Sequence, residues 1–252
     1  MSERVRLALE GGVLTATLNR PDKKNAIDTP MLDALVATLD RAELDAAVRV
    51  VALRGAGGDF CAGMDLNELL ASADRSVEAN RRAALRFADV LLRMRRLPKP
   101  VVAVVQGRAL AGGCGLATAC DLVLAAASAR FGYPEVQRGF VPAIVLALLR
   151  RAVGEKLAFD LAATGRVVGA AEAAAGGLVS RVYDDAVFER EVDAVLRGLA
   201  ASSASALALT KQHFYRLDGL GVEEGLRLGA EVNAVSRTTP DFRAALQAFL
   251  KK

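Results

Sequence analysis

The chain opens with a hairpin-like pattern of apolar and polar residues. In VRLALEGGVLTATLNRP two alternating segments flank Gly11 and Gly12, and Pro21 follows the second segment. Alternation with a period of two residues predicts half-buried strands, and the glycine pair predicts a tight turn between them. Three later apolar runs, VRVVALRG, PVVAVVQG and CDLVLAAAS, each predict a strand that is buried on both faces of a parallel sheet.

Helical periodicity separates and follows these runs. Residues 30–46 carry apolar side chains at helical spacing, and residues 76–97 predict a long helix. Strand and helix thus alternate from about 48 to 185, which predicts an α/β fold with crossover helices. From about residue 186 onward the pattern predicts only amphipathic helices. Such helices need an apolar surface to bury, either on the chain's own core or on another subunit.

Composition narrows the class of protein. The chain has 252 residues, of which 53% are hydrophobic and 25% charged, a balance that predicts a globular protein with a large core. Its formal net charge of +4 is spread along the chain, as on solvated helix faces, and would also attract an anionic small molecule. No nucleic-acid-binding motif accompanies the charge, so we expect no nucleic-acid partner. No apolar stretch is long enough to span a membrane, so we expect no membrane partner.

Cysteine and histidine usage predicts neither a metal site nor a thiol nucleophile. Cys61, Cys114 and Cys120 form an odd set in apolar surroundings, which indicates buried thiols in a reducing compartment and hence a cytoplasmic protein. Their spacing fits no zinc pattern. No basic neighbour that would lower the pKa of Cys114 is evident in the sequence. His213, the single histidine, lies in the helical C-terminal part, where we expect it to be packed rather than catalytic.

Two glycine-rich loops follow central strands and lead into helical patterns. They are GAGGDFCAGMDLNEL, residues 55–69, and GRALAGGCGLATACD, residues 107–121. Backbone N–H groups at such helix starts point outward with partial positive charge, and two of them aimed at one point would hold a developing oxyanion. Neither loop has the lysine of a P-loop or the dinucleotide-binding fingerprint. For either loop alone, tight strand-to-helix packing is an equally good explanation.

Four motifs taken together are far more specific. LNRPDKKNAI, FCAGMDLNEL, GRALAGGCGLATACD and FGYPEVQRGFVPA occur in an order and spacing that resemble the enoyl-CoA hydratase/isomerase, or crotonase, family across essentially the whole chain. The resemblance implies an α/β spiral of ββα units over residues 1–194 and a helical trimerisation region over residues 195–252. It also implies a homotrimer or hexamer and an acyl-CoA substrate. No cofactor is expected, because CoA is part of the substrate.

The resemblance also assigns roles within the loops. Two backbone N–H groups, those of Met64 and Gly112, would grip the thioester oxygen, and Ala111 replaces the first glycine of the family's triplet. Family hydratases usually carry two glutamates. One is present as Glu135, whereas the position of the other, after the Gly-Gly-Cys run, is Gly115. A single carboxylate suffices to move one proton between two carbons, and some isomerases of the family work with only the equivalent of Glu135.

Substrate contacts are expected at both ends of the chain. By resemblance, the DKKNA turn and the first glycine loop contact CoA, and a C-terminal aromatic residue and lysine reach its nucleotide, often from a neighbouring subunit. The residues that this nominates are Lys24, Ala26, Ala62, Asp65, Leu66, Phe249 and Lys252.

Several alternatives remain open at this point. The sequence supports double-bond isomerisation and hydration about equally. The family as a whole favours hydration, and the missing glutamate favours isomerisation. Asp65 or Glu68 could supply a second acid, although Asp65 is also placed to cap the loop. The same oxyanion site could serve a decarboxylase or a retro-reaction on a branched acyl thioester. A non-catalytic binding protein of the same fold is the remaining possibility.

Overall fold

A six-stranded sheet forms the centre of the computed structural model, which describes residues 3–251. The strand order is β1-β2-β3-β4-β6-β9; β1 and β2 pair antiparallel, and the other pairs are parallel. The predicted buried parallel strands are therefore confirmed. The strands of this sheet are β1 (Val5–Glu10), β2 (Val13–Leu18), β3 (Val50–Gly55), β4 (Val101–Val105), β6 (Leu122–Ala126) and β9 (Arg181–Tyr183).

The predicted hairpin is also confirmed. Glu10 pairs with Val13 across a two-residue turn in which Gly11 and Gly12 have φ values of +54° and +83°. Left-handed φ at both central residues is the turn whose twist matches that of the flanking strands. Only glycine adopts this conformation without steric strain, which is why the sequence carries a glycine pair there.

A second, three-stranded sheet was not predicted from the sequence. It consists of β5 (Arg108–Leu110), β7 (Arg130–Gly132) and β8 (Val167–Gly169) in the order β5-β7-β8. Each strand has three residues, too few to show a period. Leu110 pairs with Gly132, so the loop after β5 and the turn after β7 begin side by side. This small sheet brings together two of the sequence motifs.

Helices surround the sheets and fill most of the remaining chain. Two short 3₁₀ turns, Pro21–Lys23 and Pro134–Arg138, lie among them. The helices predicted over residues 30–46 and 76–97 are present as α1 and α3. The helices are α1 (Thr29–Leu44), α2 (Leu66–Ala71), α3 (Val77–Arg96), α4 (Gly112–Ala119), α5 (Ala143–Val153), α6 (Glu155–Thr164), α7 (Ala170–Ala175), α8 (Phe188–Ala201), α9 (Ala204–Arg216), α10 (Val222–Ser236) and α11 (Pro240–Leu250).

The first C-terminal helix belongs to the core. Phe188, Val192 and Leu196 of α8 are buried against side chains of the central sheet, so α8 covers the sheet face opposite the main core. The boundary predicted between residues 194 and 195 therefore falls inside α8. The helices that extend beyond this layer begin with α9.

A buried lysine anchors α9 to the core. Lys211 Nζ donates to the carbonyl oxygens of Met94 at 2.8 Å and Lys99 at 2.9 Å, and forms an ion pair with Asp121 at 2.7 Å. The Tyr215 hydroxyl donates to the other oxygen of Asp121 at 2.8 Å. Burial lowers the pKa of Lys211, and the Asp121 carboxylate opposes that shift. These three acceptors satisfy the Lys211 ammonium, and the contacts hold α9 in position against the core.

The last helices expose a large amount of apolar surface. The large apolar side chains of α9, α10 and α11 that are exposed are Phe214, Val222, Leu226, Val235, Phe242, Leu246, Phe249 and Leu250. No single helix among the described residues is long and apolar enough to cross a membrane; α8 and α9 reach that length and composition only together, with a bend of 101° between them.

Candidate active site

The two glycine-rich loops lie against each other. A Cβ atom on Gly63 would lie 2.8 Å from Ala111 Cβ and 3.3 Å from the Gly112 nitrogen. A Cβ atom on Gly113 would lie 2.3 Å from the Cys61 carbonyl oxygen. Backbone approaches this close exclude any side chain, and Gly63 also has a φ of +102°. The glycines are thus required by the contact between the loops.

Two backbone N–H groups at this contact have no acceptor in the described part of the chain. Ile27 pairs with the residues on both sides of Met64. Its N–H donates to the Gly63 carbonyl, and its carbonyl accepts from the Asp65 N–H, both at 2.8 Å. The Met64 N–H therefore points away from Ile27. Gly112 is the first residue of α4, where the helix has no internal acceptor for its N–H. Two such N–H groups side by side match the donor arrangement that an oxyanion hole needs.

Ala111 holds Gly112 in place through a strained backbone. Its φ of 51° and ψ of −128° lie in a region that a residue with a side chain rarely adopts. Such a conformation costs about 1–3 kcal/mol and persists only where the surroundings enforce it. Here the Ala111 N–H donates to the Gly132 carbonyl at 2.8 Å, and its own carbonyl accepts from the Gly115 N–H at 3.0 Å. The family's glycine would adopt this conformation without strain.

Arg20 supports the other half of the donor pair. Its guanidinium donates to the Ala26 carbonyl at 2.7 Å and to the Asp65 carboxylate at 2.9 Å. The other oxygen of Asp65 accepts from the Asn67 N–H at 2.9 Å and so caps α2. Although burial opposes ionisation, Arg20 and these N–H donors hold the pKa of Asp65 below its usual range. The Asp65 carboxylate is thus bound within the protein, immediately after Met64.

Glu68, the other candidate for a second acid, is engaged in the same way. Its two oxygens accept from the Thr29 N–H at 3.0 and 3.1 Å, and one also accepts from the Thr29 hydroxyl at 2.9 Å. These bonds satisfy the start of α1. The carboxylates of Asp65 and Glu68 are thus both held by hydrogen bonds within the protein.

Glu135 is a buried carboxylate on the turn that follows β7. It is 8% exposed, and in residues 3–251 its Oε2 atom is buried without a hydrogen-bond partner. Burial raises the pKa of the Glu135 carboxyl, and nearby Arg138 opposes the shift only in part. Tyr133 anchors the same turn, because its buried hydroxyl lies 2.7 Å from Thr118 Oγ1 on α4. A carboxylate with a raised pKa and an unpaired oxygen is suited to accept and return a proton.

Gly115 lacks the acid, and the space beside it is already occupied. A Cβ atom on Gly115 would lie 2.2 Å from Val145 Cγ1 and 3.9 Å from Phe87 Cζ. The side chain of Val145 thus fills the space that a residue at position 115 would enter.

The nominated substrate contacts fall into two groups. Lys24, Ala26, Ala62 and Leu66 lie around the first loop: the Ala62 N–H donates to the Lys24 carbonyl at 2.9 Å, and Leu66 is 60% exposed beside Asp65. Phe249 is 74% exposed on α11, which packs against α9. Lys252 lies outside the described residues. The structure therefore brings the first group together with Met64, and leaves Phe249 on the helical surface.

The three cysteines and His213 are packed against other parts of the protein. All three cysteines are free and buried, as predicted, and burial raises the thiol pKa to about 12 in Cys61 and about 11 in Cys114. His213 packs between α9 and α10, where its Nε2 would lie 3.5 Å from a Cβ on Gly229. Within residues 3–251 no cluster of three His, Cys, Asp or Glu side chains is placed to hold a metal ion.

Sequence reasoning missed the residues that support this site. Arg20 lies inside the motif LNRPDKKNAI and Tyr133 inside FGYPEVQRGFVPA, whereas Val145 lies two residues beyond the end of the latter. The motifs showed which residue types were present but not which atoms they would contact. Phe87 lies on α3, and in the sequence it is only one of the apolar residues of a predicted helix.

Comparisons with known proteins agree with this geometry. The sequence model of the enoyl-CoA hydratase/isomerase family matches residues 8–252. A Thermus thermophilus protein named as an enoyl-CoA hydratase is 43% identical over 243 residues, which cover 96% of each chain. The crystal structure of an enoyl-CoA hydratase from Mycobacterium smegmatis superposes with a TM-score of 0.95 at 35% identity, covering 99% of this chain and 97% of the other.

A relative whose name gives a different reaction is also similar over its whole length. An Escherichia coli 1,2-epoxyphenylacetyl-CoA isomerase is 33% identical over 100% of this chain and 97% of its own length. The family match spans both glycine loops, the Glu135 turn and the C-terminal helices, and the fold is that of the family's solved structures. The chain belongs to the enoyl-CoA hydratase/isomerase family and has the crotonase fold.

Proposed function

We propose that this acyl-CoA enzyme moves a carbon–carbon double bond along an enoyl-CoA thioester, with Glu135 as its only acid–base group. The observation that carries the proposal is the pairing of one desolvated, unpaired carboxylate with a glycine at position 115. Asp65 and Glu68 are held by other protein groups, so neither replaces the missing acid.

The proposed reaction has two proton transfers. The Glu135 carboxylate takes a proton from C2 of a 3-enoyl-CoA, which leaves a dienolate whose negative charge lies largely on the thioester oxygen. The N–H groups of Met64 and Gly112 stabilise that oxygen more strongly as the charge develops. The protonated Glu135 then returns the proton to C4, and the product is the 2-enoyl-CoA. No cofactor beyond the CoA of the substrate takes part.

Hydration is the second candidate, favoured by the names of several relatives. An Escherichia coli 2,3-dehydroadipyl-CoA hydratase is 34% identical over 100% of this chain. Water addition would require Glu135 alone both to activate water and to deliver a proton at C2.

Comparing the two reactions in one wild-type preparation tests the proposal. With a panel of 3-enoyl-CoA, 2-enoyl-CoA and 3-methylglutaconyl-CoA substrates, we expect kcat/KM for isomerisation to exceed that for hydration by on the order of a hundredfold, the usual contribution of one acid–base group. Product analysis by mass spectrometry and NMR separates hydrated, isomerised and cleaved thioesters. Hydration faster than isomerisation would show that a single glutamate activates water and would refute the proposed function.

The helical region is part of the proposal as an oligomerisation surface. We expect the exposed apolar faces of α9, α10 and α11 to be buried between subunits in a trimer or hexamer, with Phe249 near a neighbouring site. Sedimentation velocity at micromolar concentration should give the mass of three or six chains. A monomer at that concentration would contradict this. The three buried free thiols support a cytoplasmic location.

A further inference from the structure

The space beside Gly115 is filled by one side chain. A Cβ atom at position 115 would lie 2.2 Å from Val145 Cγ1 and 3.2 Å from Val145 Cβ, closer than packed side chains approach. Val145 lies in the first turn of α5 and is 3% exposed. A β-branched residue in a helix has one strongly preferred rotamer, so these methyl groups do not readily turn aside. A side chain at position 115 therefore requires a smaller residue at position 145.

The surroundings of this contact are apolar and reach the oxyanion donors. Phe87 Cζ would lie 3.9 Å from a Cβ on Gly115 and 3.5 Å from one on Gly112. Phe87 and Val145 thus form an apolar wall next to the first residue of α4. A water molecule inside a protein needs two to four polar partners, and neither side chain offers one.

We propose that Val145 determines which reaction the site supports, isomerisation or hydration, an inference that rests on the proposed function. By filling the space beside Gly115, Val145 excludes both a second carboxylate and the water that such a carboxylate would hold. Isomerisation needs no second reactant, since the proton leaves C2 and returns at C4. Hydration adds the hydroxyl of a water molecule at C3 and a proton at C2, so it needs a group that holds and activates the water. Gly115 and Val145 therefore act as a coupled pair.

A double-mutant cycle tests this coupling. Gly115→Glu, Val145→Ala and the double variant are compared with wild type for hydration of a 2-enoyl-CoA, isomerisation of a 3-enoyl-CoA and the urea midpoint of unfolding. We expect Gly115→Glu alone to lower the urea midpoint and to gain no hydration. In the double variant we expect the hydration rate to rise on the order of a hundredfold over wild type. We also expect its urea midpoint to exceed the value obtained by adding the separate effects of Gly115→Glu and Val145→Ala.

Leu149 provides the matched control. It is fully buried on the same helix, one turn after Val145. Leu149→Ala removes more side-chain volume than Val145→Ala but not the atoms that meet position 115. Gly115→Glu combined with Leu149→Ala should therefore recover neither stability nor hydration. Should Gly115→Glu not fold, Gly115→Ala gives the same stability cycle, because its Cβ alone meets Val145.

The outcomes separate this inference from the proposed function. Full hydration by Gly115→Glu without a change at position 145, or additive effects throughout the cycle, would overturn the role of Val145. The first two results would leave the proposed function standing. A wild type that hydrates faster than it isomerises would refute the proposed function and, with it, the role of Val145 as selector. In that case the stability cycle still decides whether Val145 occupies the space beside Gly115.

Discussion

Glu135→Gln should abolish exchange of the substrate α-proton with solvent, with a loss of at least on the order of a hundredfold, while acyl-CoA still binds. The amide keeps the size of the side chain but cannot accept the proton. Because burial raises the pKa of Glu135, wild-type activity should fall on acidification at a higher pH than an exposed glutamate would give. Deuterium exchange by NMR and a pH–rate profile measure the two effects.

Stability and a second variant control this result. A carboxyl whose pKa is raised on folding binds more protons in the folded state, so its contribution to the free energy of unfolding decreases as pH rises between the two pKa values. Because glutamine does not ionise, Glu135→Gln removes this decrease in the free energy of unfolding. The melting temperature of the variant at neutral pH should therefore be no lower than that of wild type. Glu68→Gln is the matched control, since Glu68 binds Thr29, and should retain most of the activity. If Glu68→Gln is the variant that loses exchange, Glu135 is not the base.

Gly112→Pro should reduce turnover by about a hundredfold to a thousandfold, because it deletes one of the two N–H donors that we propose for the thioester oxygen. Proline fits the first position of a helix, so α4 itself tolerates the change. The loss should appear in kcat more than in KM, because the hydrogen bond strengthens as negative charge develops on the oxygen. Steady-state kinetics on the isomerisation substrate measures it.

Two further variants separate the lost donor from backbone damage. Gly112→Ala keeps the N–H, and its Cβ would meet Phe87 and Met64 at ordinary contact distances of 3.5 and 3.6 Å. It should therefore retain most of the activity. Proline also restricts the residue before it, and Ala111 already has a strained φ of 51°, so Gly112→Pro is best made together with Ala111→Gly. A folded proline variant with wild-type rates would exclude the Gly112 N–H as a donor.

The sequence was sufficient to predict the parts of the fold that repeat a pattern. Alternation and apolar runs identified the hairpin and the buried strands of the central sheet, because their period directly reflects burial. The three-residue strands β5, β7 and β8 were missed, since they depend on pairing between distant segments rather than on a local period. These strands are what places the Gly112 loop beside the Glu135 turn.

The candidate site was predictable only where a motif records chemistry. Glu135 and the missing acid at Gly115 could be identified residue by residue from the resemblance. Val145 could not, because its role depends on a contact between α4 and α5 that no spacing in the sequence encodes. Arg20 is similar: its motif is visible in the sequence, but its bond to Asp65 arises only when the loop after β2 meets the loop after β3.

The anchoring of Lys211 has a consequence for the newly made chain. Its carbonyl acceptors, Met94 and Lys99, lie 117 and 112 residues earlier in the sequence, and Asp121 also precedes it. Because synthesis runs from the N-terminus, every group that binds the Lys211 ammonium has left the ribosome before Lys211 itself emerges. A chain interrupted before Lys211 cannot fix α9 in this way. The Lys211 anchor therefore forms only on a polypeptide that already contains both glycine-rich loops and Glu135.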